Sequence, residues 1–153
     1  MKKERVKEFP ADLCPIAKSV DLIGDRWILL LIRACFVGYR RFDDFQDALQ
    51  ISRSVLSAKL AKMVAHKLLE KQSYQTAQQR PRYEYVLTPK GYGLAHILVG
   101  LVQWGNEHLV DPADATIVVT ERTTGQPIRL GLLNKEDKSL HIGDIRLRVR
   151  STQ

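Results

Sequence analysis

Between Ile51 and His66 the segment ISRSVLSAKLAKMVAH places Leu56, Leu60, Met63 and Val64 at the offsets of one apolar stripe on a helix. Ser52 stands where a hydroxyl can accept from the orphan N–H groups of a first turn. The opposite side is built from Ser54, Ser57, Ala58, Ala61 and Ala65, with Arg53 and Lys62 near its edges. A helix that merely faced water would carry long Glu, Lys and Gln side chains there. Small residues between cations let such a helix approach another surface closely. It could lie in a nucleic-acid groove, with short side chains at base edges and cations near phosphates, or it could be buried on both sides.

The preceding chain supplies three candidate helices. In CPIAKSVDLIG, Pro15 suits a first helical position and Gly24 an exit, with Ile16, Val20 and Ile23 along one side. Asp25 can cap RWILLLIRACF, whose Trp27, Leu30, Leu31, Ala34 and Cys35 predict deep burial and a central core helix. Gly38 and Arg40-Arg41 make a turn into FDDFQDAL, a short helix that packs Phe42, Phe45 and Leu49 inward. Two short helices joined by a few residues, the second small-sided, form a helix-turn-helix pattern.

Residues 68 to 76 and 82 to 88 alternate, most clearly in Tyr83-Glu84-Tyr85-Val86-Leu87, and TAQQRP between them is polar. The spacing predicts a β-hairpin with a long loop, hence a wing. Thr88-Pro89 then caps one long helix to about His108, whose Leu94, Ile97, Leu98, Leu101, Val102, Trp104 and Leu109 exceed what one core face needs. That surplus predicts a homodimer formed through residues 89 to 109 and the N-terminal helix. Beyond the linker Asp111 to Asp114 the composition turns toward β. Strands are expected at 116 to 122, 128 to 133 and 145 to 149, the last alternating Ile145, Leu147 and Val149 with Arg146, Arg148 and Arg150.

The fold expected is therefore mainly α with a β-wing, a winged helix-turn-helix with a small β-rich C-terminal extension. Residues 1 to 12 form an arm, 13 to 110 the winged domain and 111 to 153 the extension. A formal net charge of +7 favours a polyanionic partner such as double-stranded DNA over an acidic-substrate enzyme. No apolar run reaches the roughly 20 residues needed to span a bilayer, and MKKERVKEFP lacks a signal peptide's apolar core. Both predict a cytoplasmic protein. Cys14 and Cys35, with no CxxC pair, are expected as reduced thiols.

The run from Cys14 through Trp104 resembles the HxlR-type winged helix-turn-helix transcriptional regulators, relatives in fold of the MarR group. The pieces that carry the resemblance are CPIAKSVDLIGDRWILLLIR at 14 to 33, RRFDDFQDAL at 40 to 49, ISRSVLSAKLAKM at 51 to 63 and RPRYEYVLTPKG at 80 to 91. It implies a dimeric DNA-binding regulator without enzymatic activity. Arg53, Ser54 and Ser57 then fall in the recognition helix, and Arg80 and Arg82 in the wing. It also places Cys14 where several members carry a sensor of oxidants or electrophiles. A thiol ahead of a helix N-terminus can have a depressed pKa, though an inert half-buried thiol fits equally well.

Lys59, Lys62 and Lys67 could each neutralise a phosphate, Arg53 could clamp a phosphate or read guanine, and Arg80 beside Pro81 could reach a minor groove, with Gln79 and Arg82 at the wing's tip and flank. The candidate DNA-binding set is Arg53, Ser54, Ser57, Lys59, Lys62, Gln79, Arg80 and Arg82. The four histidines are too scattered for a zinc site. No nucleophile elbow, phosphate-binding glycine loop or carboxylate pair suggests an enzyme, and no cofactor is implied. The expected function is a repressor on a pseudo-palindromic operator, with an oxidant, electrophile or other small-molecule effector possible. A winged-helix adaptor that binds protein and no longer reads DNA is the alternative.

Overall fold

The computed structural model describes residues 12–74 and 82–147. The expected arm thus lies outside the described residues except for Asp12. The element order is α1 (Pro15–Ile23), α2 (Arg26–Val37), α3 (Phe42–Leu49), α4 (Arg53–Ala65), β1 (Leu69–Tyr74), β2 (Arg82–Leu87), α5 (Pro89–Tyr92) and α6 (Ala95–His108), with a short 3-10 turn at Ile142–Asp144.

Capping chemistry sets the helix starts. Pro15 opens α1. Asp25 Oδ1 accepts from the N–H groups of Trp27 and Ile28 at 3.0 and 3.2 Å and starts α2. Gly38 ends α2 at φ 111°, a left-handed position that a side chain would strain. Gln50, at φ 50°, turns the chain from α3 toward α4.

Ile28, Leu31, Ile32 and Ala34 of α2 are buried at the centre, with Phe45 of α3, Ile51, Leu56, Leu60 and Met63 around them. Leu68 and Leu69 close the core at the start of the hairpin. The expected burial of α2 is therefore rotated: Leu31 and Ala34 are deep, but Trp27, Leu30 and Cys35 are only half-buried. Trp27 instead lies under Arg26, whose guanidinium carbon is 5.1 Å from the ring. The core selects the Ile28, Leu31, Ile32 ridge because α2 packs against α3 and α4 together.

β1 and β2 pair antiparallel, from Leu69 opposite Leu87 to Tyr74 opposite Arg82. Arg40-Arg41, expected as a plain turn, adds a third short line to this hairpin. Tyr85 N–H donates to the Arg40 carbonyl at 2.8 Å, and Arg41 bridges Glu84.

The single helix expected from Pro89 to about His108 is broken into α5 and α6. Gly91 and Gly93 weaken the helix, and Leu94 N–H donates to the Gly91 carbonyl at 3.1 Å, a tighter three-residue spacing. Gly91 has a packing reason: a Cβ there would stand 2.2 Å from the Leu68 carbonyl oxygen.

Among the described residues the extension after α6 does not form the expected strands. Its turns are held by isolated bridges, Thr120 with Pro127 and Leu133 with Ser139, and 145–147 is irregular. Alternating residues without a neighbouring strand have no ladder to join. The extension is laid on α6 by Asn106 Nδ2, which donates to the Ile117 carbonyl at 3.1 Å, and by Gln103 Oε1, which accepts from Leu130 N–H at 3.0 Å.

Candidate nucleic-acid interface

The site is built around α4. Ser52 Oγ accepts from Val55 N–H at 3.4 Å and starts the helix. Its inward stripe is closed, with Leu56, Leu60 and Met63 at 0 to 1 % exposure. Its other side, Ser54, Ser57, Ala58, Ala61 and Ala65, is exposed along the full length. Of the two readings open from sequence, burial on both sides is therefore excluded.

The cations around this face are less uniform than their spacing suggests. Arg53 is exposed but leans back on α3: Nη1 donates to Gln46 Oε1 at 3.1 Å and lies 3.5 Å from Asp43 Oδ1, with the guanidinium 4.9 Å from the Phe42 ring. Lys59 Nζ is 2.7 Å from Asp25 Oδ2, and this contact chiefly holds the Asp25 carboxyl below its ordinary range. Lys62 Nζ donates to the Asp21 carbonyl at 3.1 Å. Within the domain Lys59 is thus held by an ion pair and Lys62 by a main-chain carbonyl. Arg82 is exposed at the start of β2 opposite Tyr74. Gln79 and Arg80 lie outside the described residues.

Arg41, not singled out from sequence, lies beside Arg53 and Arg82. Its Nε donates to Glu84 Oε1 at 3.2 Å, and its guanidinium lies 4.7 Å from the Tyr74 ring. It thereby joins the helix-turn-helix to the base of the wing. An open hollow of about 530 Å³ runs between the starts of α3 and α4 and the hairpin, lined by Arg41, Arg53 and Arg82 together with Asp43 and Asp44. The only sequence signal for Arg41 was its place beside Arg40 ahead of α3.

Helix α6 buries none of its residues. Ile97, Leu101 and Trp104 are 41, 47 and 54 % exposed, and Ile16 and Val20 of α1 nearly 60 %. An almost wholly apolar groove of about 440 Å³ lies between these two helices. Cys14 is half-buried immediately before α1, and its side chain makes no capping hydrogen bond. Burial pushes the Cys35 thiol up to about 12. Among the described residues no group of three or more His, Cys, Asp or Glu side chains could hold a metal ion, and no helix is long and apolar enough to cross a membrane.

Residues 22–112 match the HxlR-like helix-turn-helix family. The chain belongs to that family. The HxlR-like chain is 35 % identical over 111 residues to the HTH-type transcriptional regulator Mb3122 of Mycobacterium bovis, covering 72 % of this chain and 69 % of that one. Its structure is similar to the crystal structure of PA1607, described as a transcription factor, with 34 % identity and a TM-score of 0.77 over 89 % of this chain and 94 % of that one. It is also similar to the redox regulator HypR in its reduced form, with 26 % identity and a TM-score of 0.56 over 63 % of this chain and 96 % of that one. These relatives are transcriptional regulators and not enzymes, and a DNA-binding regulatory role follows for the HxlR-like chain.

Proposed function

We propose that this HxlR-like protein is a cytoplasmic repressor that binds a pseudo-palindromic DNA operator as a homodimer. The observation that carries the reading is the exposed small-sided face of α4, which is narrow enough to enter a major groove while Leu56, Leu60 and Met63 hold it to the core. Ser54, Ser57 and Ala58 face base edges, Arg53 swings from Gln46 to a backbone phosphate, and Arg82 with Gln79 and Arg80 of the wing engages the flanking groove. The apolar groove between α1 and α6 receives the same helices of a second copy, which sets two α4 helices one DNA turn or a multiple apart.

Cys14 is the proposed redox-sensing residue, supported by its half-buried place before α1 and by the similarity to the redox regulator HypR. A small-molecule effector acting on the same dimer is compatible with this reading.

The test is binding of labelled duplex from upstream of the protein's own gene across several salt concentrations. Arg82→Ala should weaken binding and lower the log–log salt slope by about 1. Salt-independent or absent binding by the wild type would instead favour a protein-binding adaptor. Diamide should alter binding in the wild type and not in Cys14→Ser; equal responses would remove the sensor role.

A further inference from the structure

Two lysines of α4 point away from its exposed small-sided face and grip the corner between α1 and α2. Lys59 Nζ meets Asp25 Oδ2 at 2.7 Å. Three residues along α4, Lys62 Nζ donates to the main-chain carbonyl of Asp21 at 3.1 Å. Asp21 lies in the last turn of α1, Asp25 caps α2, and Gly24 with the buried Ile23 stands between them. Asp25 is used twice, with one carboxylate oxygen on the α2 amides and the other on Lys59.

We propose that Lys59 and Lys62 are positioning residues that fix the roll of the recognition helix against the α1–α2 corner, and so fix which half-site spacing the dimer accepts. The proposal deepens the DNA-binding reading and rests on it. Apolar packing along Leu56, Leu60 and Met63 is non-directional and holds α4 down without setting its rotation. Charge-assisted hydrogen bonds are directional, and two of them at i and i+3 lie on one flank of the helix, where they oppose rolling. The corner they grip also ends α1, whose Ile16 and Val20 line the groove proposed for the second copy. An angular error at the corner is repeated by symmetry, so it enters the relation between the two recognition helices twice. Both partners of the Lys59–Asp25 pair are roughly one-third exposed or less, and such a pair adds little to global stability. Its effect should therefore appear in geometry before it appears in melting.

The experiment uses the full chain and an operator selected by binding from genomic fragments, with zero, one or two base pairs inserted at its centre. Each inserted pair shifts the half-sites by about 3.4 Å and rotates them by about 35°. In the double variant Lys59→Met/Lys62→Met, affinity for the natural spacing should fall roughly fivefold to tenfold. Discrimination against the inserted spacings should shrink at least about threefold, with the salt slope unchanged. Lys59→Arg should keep both affinity and discrimination.

If the double variant does not fold by circular dichroism, Asp25→Asn carries the same test, since asparagine still caps α2 but lacks the charge. A salt slope lowered by about 1 per lysine, with spacing discrimination intact, would assign the lysines to phosphates and overturn the positioning role alone. Unchanged affinity and discrimination would overturn it as well. A wild type that binds no genomic fragment would overturn the DNA-binding reading, and the positioning role with it.

Discussion

Ala61→Glu separates fold from function at the face on which the DNA-binding reading depends. Ala61 is exposed, one residue beyond the fully buried Leu60. Glutamate is a good helix former, so the propensity loss stays below about 0.5 kcal/mol. A carboxylate in the C-terminal half of α4 meets the negative end of the helix dipole, which costs a few tenths of a kcal/mol more, about 0.3. The sum, under about 1 kcal/mol, is small against the roughly 5–15 kcal/mol that stabilises a domain of this kind. In a DNA groove the same carboxylate faces phosphates on both sides, and like-charge juxtaposition costs several kcal/mol. Taking about 2 kcal/mol per protomer, a dimer loses about 4 kcal/mol, or roughly a thousandfold in affinity. Urea unfolding followed by tryptophan fluorescence gives the first quantity, and anisotropy of labelled operator gives the second. Leu60→Ala, at the neighbouring position, should lose about 2–5 kcal/mol of stability. Destabilisation of Ala61→Glu by more than about 2 kcal/mol would refute the outward placement of this face. Unimpaired binding by a folded variant would refute its contact with DNA.

Trp104→Glu, on the exposed side of α6, should leave the fold intact and turn a dimer into a monomer in sedimentation; a dimer that persists would place the second copy elsewhere. Gly91→Ala should lower stability by about 1–3 kcal/mol in thermal melting, because the added methyl meets the Leu68 backbone at 2.2 Å. The Cys35 thiol, pushed up to about 12 by burial, should resist iodoacetamide at pH 8 until urea is added, as read by mass spectrometry. The Asp25 carboxyl is held low in the folded state, chiefly by Lys59, so its contribution is present above the ordinary carboxylate pKa of about 3.9 and fades as pH falls through and below it. Melting temperature from pH 6 to pH 3 should accordingly fall less steeply in Asp25→Asn than in the wild type.

What could be read from residue order was what the chain decides within a few positions. The caps at Asp25, Ser52 and Thr88 were legible because each side chain bonds an N–H group two or three residues ahead. The two faces of α4 were legible because helical period sorts its residues without help from elsewhere. The wing was legible from alternation, and the bare side of α6 from a surplus of apolar residues that one core could not use. Where the same local logic misled, a distant partner was missing or present. Ile117 to Leu147 alternates in places, yet among the described residues no second strand lies beside it, so turns and isolated bridges replace a sheet. The helix expected from Pro89 onward breaks after Tyr92, where Leu94 N–H turns back to the Gly91 carbonyl, and Gly91 itself lies against Leu68, far back in the chain.

The cationic residues show the division most clearly. Composition and spacing alone established that Arg53, Lys59 and Lys62 ride on the helix with the small-sided face. Only the tertiary structure decided where they point. Asp25 lies 34 residues before Lys59 and the Asp21 carbonyl 41 before Lys62, while Glu84 lies 43 after Arg41. A flexible cationic side chain is directed by the nearest acceptor in space, and that acceptor exists only once separate elements have packed together.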